Sequence, residues 1–68
     1  MSPRAPRLSS DDMIKLLERE GFAVVSTRGS HCKPRNDARV TVIVPLHRDP
    51  LMIGTQMAIL AQAGISLP

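Results

Sequence analysis

At 68 residues, 43% of them apolar and 22% charged, the chain is one domain of ordinary globular composition, too short to enclose a deep substrate cavity or a bound dinucleotide. A net charge of +3 and a pI near 10 fit either a polyanionic partner or a solvated basic face that keeps the protein soluble. Its one cysteine, Cys32, excludes an internal disulfide. One thiol with two histidines argues against a zinc site, so neither a metal nor any other cofactor is expected, and a reducing cytoplasm is the expected compartment.

Residues 1–7 hold two prolines and two arginines and are expected to form a disordered arm. They have no apolar run behind them, so they are not a signal peptide. A single domain is expected over residues 8–68. Residues 8–21 spell a helix. Ser9 is its N-cap, with Asp12 closing a capping box, and Leu8 and Met13 are placed to form a staple. Met13, Ile14, Leu16 and Leu17 supply the apolar stripe. Gly21 ends the helix, with Phe22 positioned to fold back on Leu17.

Residues 22–28 alternate as a strand, and Gly29-Ser30 breaks it. Residues 31–35 form a second short strand. Pro34 lacks a backbone donor, which places it on an edge or at a bulge. Asn36-Asp37 reads as a turn. Residues 39–45, dense in β-branched side chains, carry the strongest strand signal and stop at Pro45. After a loop over residues 46–52, a second helix runs from Gly54 or Thr55 to Ala63, capped by Thr55 and stopped by Gly64. Met52, Ile59, Leu60 and Ala63 are expected to face the sheet. The fold class is therefore α+β: helix, three antiparallel strands, helix, with both helices on one face of the sheet. No segment approaches the roughly 20 apolar residues of a membrane span.

The distribution of charge is more informative than its sum. Residues 1–20 are balanced, residues 21–48 carry Arg28, Lys33, Arg35, Arg39 and Arg48 against Asp37 alone, and residues 49–68 carry only Asp49. In the middle of the basic segment stands His31, at the end of a tight turn. RNA brings its own nucleophile, the 2′-hydroxyl. An imidazole that takes up its proton, with cations to steady the phosphoryl oxygens, is enough for cleavage without a metal. Taken as bare residues, His31 reads first as a strand residue that merely contacts phosphate or solvent. Cys32 is adjacent to it in sequence, but neighbours on a strand point to opposite faces, so Cys32 is read as passive.

Gly29-Ser30-His31 after a helix–glycine–strand unit, then Arg39-Val40-Thr41-Val42, Val44-Pro45-Leu46-His47, Gly54-Thr55 and Ile59-Leu60-Ala61-Gln62-Ala63-Gly64, resemble the HicA family, a set of small mRNA-cleaving toxins of toxin–antitoxin modules. The resemblance runs from about Ser9 to Ser66. It implies a fold like that of double-stranded-RNA-binding domains, metal-independent cleavage of mRNA, and neutralisation by a HicB-type antitoxin, with no role for DNA or membrane. It also implies that His31 is the catalytic general base in a turn whose glycine is Gly29, and that Val44, Pro45 and His47 match the family's Val-Pro-x-His pattern, with a structural or RNA-contacting role for His47; from their charge and place in the chain, Arg28, Ser30, Lys33, Arg35, Arg39 and Arg48 are expected to contact RNA beside them. The chain departs from the family pattern at Cys32 and at Pro34. It also lacks lysine or arginine over residues 59–62. Two further readings stand beside the nuclease: a non-catalytic RNA-binding module, and a partner-binding domain that uses the uncharged second helix.

Overall fold

The computed structural model describes residues 7–66. Five elements follow one another: α1 (Ser10–Arg19), β1 (Ala23–Arg28), β2 (His31–Arg35), β3 (Val44–Pro45) and α2 (Ile53–Ala63). The strands pair antiparallel in the order β1-β2-β3, which is the expected α+β arrangement of double-stranded-RNA-binding-domain type.

Local chemistry sets the helix ends. The Asp12 N–H donates to Ser9 Oγ at 3.0 Å, and Asp11 and Asp12 occupy the first turn, where the helix dipole favours negative charge. At the other end the Gly21 N–H reaches Glu18 O at 3.2 Å and the Phe22 N–H reaches Leu17 O at 2.9 Å, while the Leu17 and Phe22 side chains are both buried. This pair of bonds with its apolar contact is the Schellman stop, and it turns the chain straight into β1. α2 ends in the same way, with Gly64 N–H to Ala61 O at 3.2 Å and Ile65 N–H to Leu60 O at 2.9 Å.

The start of α2 differs from expectation. Thr55 lies inside the helix, whose N-cap is Met52 with no side-chain bond. Tertiary contacts hold this end instead. The Leu8 N–H donates to Oε1 of the buried Gln56 at 2.7 Å, and the Leu51 N–H donates to Leu8 O at 2.8 Å. Arg7 adds bonds from Nε to Leu51 O at 2.9 Å and from Nη2 to Pro50 O at 3.0 Å. Of the arm expected to be disordered, residues 1–6 lie outside the described residues, whereas Arg7 is fastened to this loop. Met52, expected to face the sheet, is 67% exposed, and Gln56 takes the inward position beside Ile59 and Leu60.

The strands also need correction. Over residues 39–45 only Val44–Pro45 is regular strand, preceded by an isolated Arg35–Thr41 bridge and by Val42 N–H donating to Pro34 O at 3.0 Å. Asn36 causes the interruption. Its carbonyl accepts from Arg39 N–H at 3.0 Å, its Oδ1 accepts from Val40 N–H at 2.9 Å, and Arg39 is left in a turn at φ 66°. Pro34 stands in the central strand, not on an edge. Its missing donor is accommodated because the β1–β2 register shifts between Val24 and Ser26, which is the bulge alternative. β1 is an edge strand with no buried residue, so the expected in–out alternation does not appear in its exposure.

Met13 and Leu17 of α1, Phe22, Cys32 of β2, Val42, Val44, Leu51, and Ile59 and Leu60 of α2 form one buried cluster. Both helices therefore cover the same face of the sheet. Each fully buried aliphatic side chain contributes about 1.5–3 kcal/mol. The opposite face stays open.

Candidate functional site

The period of two along β2 decides what the open face carries. Cys32 and Pro34 are buried while His31, Lys33 and Arg35 are exposed, so three basic side chains share the face turned away from the helices. Pairing then builds rows across the sheet. Arg28 lies opposite His31, and Ser26 opposite Lys33. On the other side of β2, Pro45 lies opposite His31 and Val44 opposite Cys32; the Arg35–Thr41 bridge keeps the same register and so sets Ile43 opposite Lys33. Directly opposed side chains in such a ladder start about 5 Å apart. Ser26, Arg28, His31, Lys33 and Ile43 line a shallow depression of about 440 Å³.

The β1–β2 hairpin aims His31 into it. Gly29 takes a φ of 56° at the first central position of a two-residue turn, the sign that a type II′ hairpin turn requires. The close backbone approach that a glycine there could permit is not used: a Cβ on Gly29 would meet nothing within 4 Å. Gly29 is needed for handedness, not for space. The Leu46 N–H donates to Ser30 O at 2.6 Å and ties the turn to the chain leaving β3. That exit is anchored on α1, because Ser10 Oγ donates to Pro45 O at 2.6 Å and accepts from His47 N–H at 3.3 Å.

The structure does not gather every basic residue of the middle segment. Arg35 continues the β2 row beyond Lys33. Arg39 lies past the far end of that strand, beyond Arg35, which at about 3.3 Å per residue is itself some 13 Å from His31. His47 belongs to a second hollow with Arg7, Asp49, Pro50 and Met52, where its Nδ1 is 2.7 Å from Asp49 O. Arg48 is exposed on the same loop. Cys32 is buried in the core on the face opposite His31, as its passive reading requires.

Ser26 and Ile43 were not singled out from the sequence. Counting facing pairs outward from the Gly29-Ser30 turn places Ser26 beside Lys33, so the signal for that residue was present. Ile43 needed the β2–β3 register, which the Asn36 turn sets. Among the described residues, no cluster of three or more His, Cys, Asp or Glu side chains could hold a metal ion, and no helix is long and apolar enough to cross a membrane.

With this geometry in hand, comparison with family models decides the affiliation. The model for the HicA toxin of bacterial toxin–antitoxin systems matches residues 10–65. The chain belongs to the HicA toxin family. The match opens on the first residue of α1 and ends just beyond the glycine stop of α2, so it takes in the whole sheet and the open basic face of this HicA toxin. As a toxin of such a system it has a cognate antitoxin partner. Among curated protein sequences, none matches the chain.

Proposed function

We propose that this HicA toxin is an RNA endonuclease that works without a metal, with His31 as general base and mRNA as its substrate in the cytoplasm. One observation carries the reading: the exposed His31 imidazole shares a single open depression with the cations Arg28 and Lys33. The unprotonated ring nitrogen of an imidazole is a proton acceptor. His31 takes the proton of a ribose 2′-hydroxyl, the 2′-oxygen bonds to the adjacent phosphorus, and the bond from phosphorus to the 5′-oxygen breaks. The products are a 2′,3′-cyclic phosphate and a 5′-hydroxyl, the leaving oxygen taking its proton from solvent. Arg28 and Lys33 offset the charge that builds on the phosphoryl oxygens.

Gly29 and Ser30 shape the turn along which the backbone of the RNA passes, and Arg35 extends the cationic row. Arg39, His47 and Arg48 lie outside the depression and serve flanking phosphates. The family's antitoxin, of HicB type in this reading, neutralises the toxin by laying an acidic surface over the open face, an arrangement that also speeds association. The deciding experiment incubates the pure protein and its His31→Ala variant with end-labelled single-stranded RNA, with and without a chelator. Cleavage by the parent in both buffers, lost in His31→Ala while antitoxin binding persists, is the expected result. A variant that cuts at the parental rate would remove His31 from the mechanism. Salt-sensitive binding without scission at any protein concentration would leave a non-catalytic RNA-binding module.

A further inference from the structure

The depression contains one apolar side chain, which phosphate chemistry cannot use. Ile43 is 43% exposed between the buried Val42 and Val44. Six large apolar residues are exposed among the described ones: Val24, Val25, Ile43, Met52, Ile53 and Met57. Of these, Ile43 alone lines the depression with His31, Lys33 and Ser26. Its place among cations, rather than its exposure alone, sets it apart: a ligand lying there meets an apolar surface beside a cationic one. A nucleotide presents the matching pair: a charged phosphate and a flat, largely apolar base.

The lattice of the sheet sets the spacing. Lys33 is directly opposite Ile43, and His31 is one pair further along, on the diagonal. Direct neighbours lie about 5 Å apart and diagonal ones about 7 Å. Lys33 on a phosphate and His31 at the adjoining ribose leave Ile43 one base-length to the side. Of phenylalanine, tryptophan and tyrosine the chain has only Phe22, which is buried, so none of these larger rings competes for the base.

We infer that Ile43 is the floor of a nucleobase subsite that seats the base next to the phosphate held by Lys33. This deepens the proposed nuclease reading and rests on RNA lying across the same face. Contact with an aliphatic floor is insensitive to hydrogen-bonding edges, so the subsite selects for the presence of a base and its size, not for its identity.

The test uses a 2′-O-methyl oligoribonucleotide, which cannot be cut, and a 2′-O-methyl chain of the same length without bases. Binding of both is measured for the parent, Ile43→Ser and Lys33→Gln. Loss of half-buried apolar contact amounts to about a five-fold weakening. Ile43→Ser is expected to weaken binding of the base-bearing strand by about that factor and to leave the abasic strand unchanged, whereas Lys33→Gln weakens both. A second variant, Ile43→Leu, retains the contact and is expected to bind like the parent. Equal loss on both strands, no loss on either, no binding by the parent, or a loss confined to antitoxin affinity would each overturn the subsite. Because neither strand can be cleaved, this outcome is separate from the nuclease result: uncut natural RNA together with the expected binding pattern would end the catalytic reading and leave the base subsite standing.

Discussion

At the scale of single residues, the site depends on a turn whose handedness only one residue type adopts freely. Gly29 holds φ at 56° with open space around it. A substitution there therefore meets a conformational cost and no clash. Gly29→Val is expected to cost about 1–2 kcal/mol, and Gly29→Asn clearly less, because asparagine is accepted at the positive φ of such primed turns where a β-branched residue is not. Chemical denaturation of the two variants measures this, and equal losses would show that packing, not handedness, is at stake. Arg39 is the opposite case, a side chain that accepts the left-handed region at φ 66° because Asn36 supplies three bonds to fix the turn around it. His31 needs no such strain. Its place follows from strand alternation, which turns Cys32 inward and His31 outward.

At the scale of elements, two neighbouring serines do different work. Ser9 satisfies one donor at the start of α1, so Ser9→Ala is expected to cost about 1 kcal/mol. Ser10, 5% exposed, bonds both Pro45 O and His47 N–H and so locks the end of β3 onto the helix. Ser10→Ala leaves both groups without that partner and is expected to cost about 1–3 kcal/mol. Thermal or urea unfolding of the two variants in parallel distinguishes a cap from a clamp; a smaller loss for Ser10→Ala than for Ser9→Ala would mean that water replaces the clamp. The capping serine was legible because its signal is local. The clamp was not, since its partners lie 35 and 37 residues away in the chain. Gln56 is similar: a polar residue in an apolar helix gives no sign that it will accept from Leu8 N–H at 2.7 Å across 48 residues.

At the scale of the whole molecule, the sheet separates two chemistries. One face, with Cys32, Val42 and Val44, joins the helices in the core, and the other presents Arg28, His31, Lys33 and Arg35 to solvent. Three cations on one open face imply a definite salt response. If Arg28, Lys33 and Arg35 each neutralise one phosphate of a single strand, the logarithm of the binding constant falls against the logarithm of salt concentration with a slope of about −2. Arg28→Gln is expected to make that slope shallower by about 0.7. A slope near zero would show that RNA does not lie across this face. The exposed Met52, Ile53 and Met57 near the start of α2 keep a partner-binding role for that helix compatible with the nuclease reading.

By itself the sequence determined what short-range physics controls. The α1 cap at Ser9, the glycine stops of both helices, the Gly29-Ser30 turn and the alternation that sets His31, Lys33 and Arg35 on one face and Cys32 on the other all follow from neighbours a few residues apart. Only the tertiary structure decided what depends on pairing between distant segments: that β2 is the central strand despite Pro34, that the β-branched run over residues 39–45 is broken by the Asn36 turn, that Ile43 comes to lie opposite Lys33, and that His47 belongs to a different hollow from His31. The reason is that caps and periodicity act within a turn or two of chain. Register and burial are settled by which remote surface each segment meets, and no local pattern encodes that choice.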